Sequence, residues 1–243
     1  MKLFTNKQNI KETEIFIKGE DVNHIKNVMR LSKGDKITIC DGEKNDYSCE
    51  IISLIKNEAH LTILEKHLNE NEPETKITLY QSLPKAGKLE EIIQKATELG
   101  ISEIIPIETD FSVVKANHIT ENKYERYEKV AKAAAQQCKR GIIPSIGKVQ
   151  NFKDINPEGT TILAYEKEEK TFFKNLKQDL NESLKSQEKC SIIIGAEGGF
   201  SGQEINLAKE KKFHIISLGK RILRLETASV VLATLVLNAK GEF

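Results

Sequence analysis

No apolar run in this chain of 243 residues can cross a bilayer. The longest, Ala228–Leu237, is far shorter than the ~20 residues a spanning helix needs and contains Ser229 and Thr234. The opening residues, Met1-Lys2-Leu3-Phe4-Thr5-Asn6-Lys7, lack the apolar stretch of a secretory signal, so a cytoplasmic location is expected. Cysteine is sparse: Cys40, Cys49, Cys138 and Cys190 lie far apart with no C-x-x-C pair, which predicts reduced, mostly buried thiols. The five histidines form no H-x-x-x-H or His/Cys cluster, and no metal site is expected. A surplus of one charge is missing too, since 37 Lys and Arg stand against 36 Asp and Glu for a net charge of +1. Overall charge therefore gives no support for nucleic-acid binding, and any basic surface has to come from uneven placement. What remains, 39% hydrophobic and 30% charged residues, fits a globular protein with one large domain or two ordinary ones.

Residues 1–70 read as a small β-rich unit. Lys36–Cys40 and Tyr47–Ile52 alternate as half-buried strands do, with Asp41–Asp46 as a turn-rich hairpin connection. Ala59–Leu64 supplies another strand. A short helix is predicted over Asp21–Arg30, with His24, Ile25, Val28 and Leu31 as its inward stripe. Residues 66–75 are polar, proline-containing and aperiodic, and read as a linker.

Beyond it, over 76–243, strands alternate with helices. Strands are predicted at 76–83, 103–107, 161–165, 190–194 and 214–218. A helix over 88–99 buries Leu89, Ile92, Ile93, Ala96 and Leu99 and stops at Gly100. Another over 122–140 buries Tyr127, Val130, Ala131, Ala134 and Cys138. Ser201-x-x-Glu204 has the spacing of a capping box. This alternation implies an α/β fold with a mostly parallel sheet covered on both faces. The last helix, about Thr227–Ala239, is apolar nearly all round, which points to cover on every side, including a second subunit.

Two strands run into glycine loops. The first enters Gly195-Ala196-Glu197-Gly198-Gly199-Phe200-Ser201, the second Gly219-Lys220-Arg221-Ile222-Leu223-Arg224-Leu225-Glu226-Thr227. Ligands of open parallel sheets sit beyond the carboxyl ends of strands, so these loops can share one site. The glycines let backbone N–H groups approach a carboxylate or an adenine edge. The spacing is neither G-x-G-x-x-G nor a P-loop, and a lone G-x-x-G-G is often only a tight turn. Arg221 and Arg224 suit phosphate and base contacts, with an Arg224–Glu226 surface salt bridge as the plainer reading. Thr227 reads as the N-cap of the final helix. Lys129, Lys132, Lys139 and Arg140 lie opposite the apolar stripe of their helix, and Lys85 and Lys88 flank Gly87; each set is either a wet helix face or a support for RNA.

Ile194–Ser201 together with Leu218–Ala228 resembles the signature of the RsmE family, SPOUT-class methyltransferases acting on uridine N3 of small-subunit (16S) ribosomal RNA. The similarity covers essentially the whole chain. His24-Ile25-x-x-Val28-Met29-Arg30-Leu31-x-x-Gly34-Asp35 resembles the family's amino-terminal PUA-like RNA-binding barrel, and Gln94–Gly100 its first catalytic-domain helix. The chain departs from the family at Ala196, where proline is usual, at Gln136, where Glu is usual, and at Leu225, where threonine is usual.

The resemblance implies a PUA-like β-barrel followed by a SPOUT domain whose parallel sheet ends in a trefoil knot, S-adenosylmethionine as cofactor, and a homodimer. It implies cofactor contacts through backbone at Leu163, Ala164, Tyr165, Gly195, Gly198, Leu218, Gly219 and Leu223, together with Glu197. Arg224 is expected to stabilise the charge on the uracil when N3 loses its proton. Either Glu226 or Glu197 takes that proton, or each merely orients an arginine or the loop. Arg30, Arg221 and Arg140 are expected RNA contacts. Two other readings stay open: ribose 2′-O-methylation in the same cofactor pocket, and a non-catalytic RNA-binding protein.

Overall fold

Period-two alternation builds the amino-terminal part of the molecule. In the computed structural model, which describes residues 2–85, 87–174, 182 and 188–243, five strands form one sheet: β1 (Lys2–Phe4), β2 (Glu14–Lys18), β3 (Lys36–Cys40), β4 (Asn45–Leu54) and β5 (Glu58–Leu68). Their order is β1-β3-β4-β5-β2; β1 runs parallel to β3 and the other pairs are antiparallel. Alternate residues Ile15/Ile17, Ile37/Ile39, Cys49/Ile51 and Ala59/Leu61 face one core. The hairpin connection between β3 and β4 forms as expected, with the Asp41 carboxylate accepting from the amides of Glu43 (2.7 Å) and Asn45 (3.1 Å).

The helix expected over Asp21–Arg30 is shorter and irregular: α1 (Glu20–Asn23) widens into a π-helical turn at His24–Val28. Ile25 is buried, but Val28 is 64% exposed and so lies off the expected inward stripe. The extra residue per turn takes Val28 out of the stripe, while Met29 and Leu31 beyond it pack partly buried against the core.

The expected linker is also more ordered than its composition suggested. Lys66–Leu68 complete β5, and Asn69 donates to Asp46 (2.7 Å) and to the Lys139 carbonyl (3.1 Å). Glu72 accepts from Arg140 and from the amides of Gly141 and Ile142. By contacts, the first unit therefore comprises residues up to Glu72 plus Ala135–Ile143, and the second Pro73–Ala134 plus Pro144–Phe243.

The second unit holds a parallel sheet. Its strands are β6 (Lys76–Ser82), β7 (Glu103–Glu108), β8 (Ser145–Ile146), β9 (Gln150–Asn151), β10 (Thr160–Ala164), β11 (Lys189–Ile194) and β12 (His214–Ile216). The order is β12-β10-β11-β6-β7-β8, with β9 also on β7, and every pair is parallel. The strands with continuous apolar runs are the central ones, as Ile192, Ile193 and Ile194 of β11 show by being buried together. Helix α2 (Lys88–Glu98) buries Leu89, Ile92, Ile93 and Ala96 of its predicted stripe, whereas Leu99, at the C-cap, is only partly buried, and Gly100 follows at φ 91°. Helix α3 spans Glu121–Gln137. Along it Tyr127, Ala131 and Ala134 are buried as expected, but Val130 and Cys138 are only partly so.

Helix α4 (Gly202–Glu210) opens on the predicted capping box: Ser201 Oγ accepts from the Glu204 amide while Glu204 accepts from the Ser201 amide. The last helix, α5 (Leu225–Lys240), starts two residues before its expected position, with Arg224 rather than Thr227 at the N-cap. It packs against α2, β11 and β6. Ser229 Oγ donates to the buried Gln81 of β6 (2.7 Å) and to the Leu225 carbonyl (2.8 Å). Its apolar character is thus only partly used: Leu232, Val236 and Leu237 are buried, but Val230, Val231 and Leu235 are half-exposed.

Candidate active site

The carboxyl ends of β10, β11 and β12 share one edge of the sheet, and the loops leaving them enclose a cavity of about 530 Å³. The two glycine loops do not sit on neighbouring strands. β10 lies between β11 and β12, so the segment Ala164–Lys167 forms a third wall. The volume is ordinary for a small-molecule site.

The first loop is a tight turn. Gly199 donates to the Ala196 carbonyl (2.9 Å) and takes φ 72°, where a side chain would be strained. A Cβ at Gly199 would also lie 2.3 Å from a carboxylate oxygen of Glu166, whose side chain would have to swing aside. A Cβ at Gly198 would press on Phe111, and one at Gly195 on the Phe200 ring. The turn is braced from outside by Glu204, whose carboxylate accepts from the amides of Ser201 (2.8 Å) and Asp110 (3.0 Å). In the second loop Gly219 takes φ 128°, and its amide donates to Ser217 Oγ (3.3 Å). The loop is tied to β10 by the Tyr165 amide, which donates to the Ile216 carbonyl (2.8 Å).

Most of the expected cofactor residues line this cavity: Ala164 and Tyr165 from the β10 loop, Gly195, Glu197 and Gly198 from the first glycine loop, and Leu218, Gly219 and Leu223 from the second. Leu163 does not. Its side chain is wholly buried in the core with Tyr80 and Ile193, because it points to the opposite face of β10 from the cavity-directed neighbour.

Arg221 and Arg224 also line the cavity and are exposed. The alternative reading, an Arg224–Glu226 salt bridge, is not present among the described residues. Glu226 instead faces Lys88, whose Nζ lies 3.5 Å from its carboxylate and 3.7 Å from that of Glu197. Glu226 has a side chain only 12% exposed and is not part of the cavity wall, whereas Glu197 is. Glu197 also accepts from the Lys85 amide (3.3 Å). Around the cavity, the cations Lys88, Lys167, Lys220, Arg221 and Arg224 outnumber the carboxylates Glu166 and Glu197. A nearly neutral chain has thus concentrated positive charge at one opening.

The remaining RNA candidates part company. Arg30 is exposed and held at φ 56°. Arg140 is a correction: it is 3% exposed, and its guanidinium meets the Glu72 carboxylate through Nε (3.1 Å) and Nη2 (2.9 Å). Helical spacing placed it on a wet face, but α3 ends at Gln137 and Lys139 takes φ 64°, which turns Arg140 inward. Lys129 and Lys139 are exposed. Glu166 was not singled out by sequence, although it directly follows the Ala164-Tyr165 pair that was. For Lys88 the sequence offers only a wet helix face or a support for RNA.

Residues 70–237 match the family described as an RNA methyltransferase domain, and residues 17–64 the family described as an RNA methyltransferase PUA domain. The ribosomal RNA small subunit methyltransferase E of Bacillus subtilis (strain 168) is 36% identical over 228 residues, which is 91% of this chain and 89% of the relative. The chain belongs to the ribosomal RNA small subunit methyltransferase E family. The family protein of Mesomycoplasma hyopneumoniae (strain 232) is 34% identical, covering 88% of this chain and 89% of that one. A crystal structure of a methyltransferase E from Neisseria gonorrhoeae bound to S-adenosyl methionine has the same fold, with a TM-score of 0.85 at 24% identity over 98% of this chain and 96% of that one.

Proposed function

We propose that this protein uses S-adenosylmethionine to methylate N3 of a uridine in small-subunit (16S) ribosomal RNA. The observation that carries this reading is the convergence of two glycine loops and a cationic rim on a single cavity of about 530 Å³. The fit to the cofactor is physical. Backbone at Gly195, Gly198, Gly219 and Leu223 is open to a ligand, Ala164, Ile194 and Leu218 give apolar wall, and Glu166 and Glu197 are available to a cationic group. When bound there, S-adenosylmethionine supplies an electrophilic methyl group on a positively charged sulfur.

The chain's own residues do the rest. Arg224 and Arg221 draw the RNA to the opening and bind phosphate or base edges. As N3 loses its proton, negative charge spreads to the flanking carbonyl oxygens of the uracil, and the Arg224 guanidinium hydrogen-bonds that charge. Glu197 is the carboxylate of the pair that faces the cavity, and it is the proton acceptor in this reading. The glycine loops hold both reactants, so much of the rate comes from placement.

The amino-terminal unit, matched to a PUA family, docks RNA through phosphate contacts that include Arg30. The protein acts in the cytoplasm; none of its described helices is long and apolar enough to cross a membrane. It works as a homodimer, a reading supported by the half-exposed Val230, Val231 and Leu235 of α5. A knotted carboxyl-terminal passage is in keeping with the strand order, since the chain reaches the outer side of β10 at β12 and returns to pack α5 on β11 and β6.

The test is mass spectrometry of nucleosides from ribosomal RNA of a strain lacking this protein, before and after treatment with the purified protein and cofactor. A methyl group that stays with uracil when the sugar is cleaved is expected. A methyl lost with the ribose would establish 2′-O-methylation instead, and no transfer at all would overturn the enzyme reading.

A further inference from the structure

Lys88 is the first residue of α2, placed by Gly87 at φ 86° and by a stripe of Leu89, Ile92 and Ile93 that fixes the helix against the core. Its side chain lines the cavity, and its ammonium stands between Glu197 (3.7 Å) and Glu226 (3.5 Å). These distances are ion contacts rather than hydrogen bonds. The two carboxylates are not equivalent. Glu197 is on the cavity wall, whereas Glu226, in the first turn of α5, lies behind it with one oxygen buried and without a hydrogen bond. A buried carboxylate needs a nearby cation, and among the described residues Lys88 is the cation within 4.0 Å of it.

We propose that Lys88 is a positioning residue, anchored from behind by Glu226 and holding Glu197 toward the substrate, so that Glu226 acts on the reaction through Lys88 and not by contact with the RNA. This rests on the methyltransferase reading above. Three elements contribute one charge each, α2 the ammonium, the first glycine loop the reacting carboxylate and α5 the anchor. Without the ammonium, Glu197 keeps only the Lys85 amide at 3.3 Å, too little to fix a carboxylate on a loop. Without Glu226, the ammonium loses the partner that draws it behind the wall.

The experiment is a double-mutant cycle on the full chain, read by single-turnover methylation of ribosomal RNA, with the RNA KM and the cofactor Kd measured alongside. Lys88→Met and Glu226→Gln are each expected to lower the rate ~10- to 100-fold, the scale of a misplaced catalytic group, with RNA KM and cofactor Kd unchanged. The double variant is expected to be no slower than the slower single one, because both remove the same link. Lys88→Arg is expected to restore most of the rate. Should Lys88→Met fail to fold, Lys88→Gln takes its place in the cycle. The proposal is overturned if Glu226→Gln lowers the rate by the same factor with and without Lys88, which would make Glu226 an independent catalytic group, or if Lys88→Met turns over at the native rate. A native protein that transfers no methyl group overturns the function and this inference together; an active native protein with either of the former outcomes overturns the inference alone.

Discussion

Arg224 and Arg140 are both arginines next to helix ends, yet they have opposite surroundings. Arg224 is exposed at the cavity, where its donors are available to a developing anion. Replacing it with alanine is expected to lower the single-turnover rate ~100- to 1,000-fold, the usual cost of one charge-stabilising donor, with cofactor affinity retained in calorimetry. Arg140 is closed in with Glu72. Glu72→Ala would leave a buried guanidinium without its carboxylate, and a loss of about 3–5 kcal/mol in urea unfolding is expected. The cysteines follow burial in the same way. Burial pushes the thiols of Cys40, Cys49 and Cys190 from the ordinary 9.0 up to about 12, so all three stay protonated at pH 8. The stability this contributes is complete below pH 9 and is lost as pH rises toward 12. A thiol reagent at pH 8 is therefore expected to label native protein at the half-exposed Cys138 first, and all four cysteines only after denaturation.

At the scale of elements, the site depends on how loops are braced. The Ser201–Glu204 capping box starts α4 and also holds the Asp110 amide and carboxylate, so one motif fixes both the glycine turn and the loop after β7. Ser201→Ala is expected to destabilise the protein by about 1 kcal/mol, seen as a melting-temperature drop of roughly 2–4 °C in calorimetry. This element was legible because capping uses local spacing alone. The helix at Asp21–Arg30 was less so: its hydrophobic spacing fits a regular α-helix, and nothing in that spacing reports the π-helical turn that exposes Val28. The short strands β1, β8 and β9 escaped detection for a related reason, since two or three residues are too few for a period to show; β2, at five residues, is long enough to alternate and was missed without that reason.

For the whole molecule, charge placement matters more than charge total. A chain of net charge +1 gathers four exposed cationic side chains, Lys167, Lys220, Arg221 and Arg224, around one cavity. RNA affinity is therefore expected to fall steeply with salt, and Arg221→Ala to flatten the plot of log affinity against log salt by about 1 while weakening all RNA sequences alike. Filter binding over a salt series checks this; an unchanged slope would remove Arg221 from the phosphate contacts. The division into two units likewise does not follow the chain. Ala135–Ile143 groups with the residues before Glu72 through Glu72–Arg140 and the packing of Ala135 with Phe4 and Cys40, contacts across more than sixty residues of sequence.

The amino-acid sequence by itself determined the alternation of strands and helices after residue 76, the buried stripe of α2, the stop at Gly100 and the two glycine loops at strand ends, because each rests on residues within one turn or one strand of each other. Only the tertiary structure decided that β10 separates those loops and adds Glu166, that Lys88 rather than Arg224 faces Glu226, and that Arg140 is enclosed. Those outcomes depend on strand order and on which distant charge reaches a buried one first, and local spacing carries no record of either.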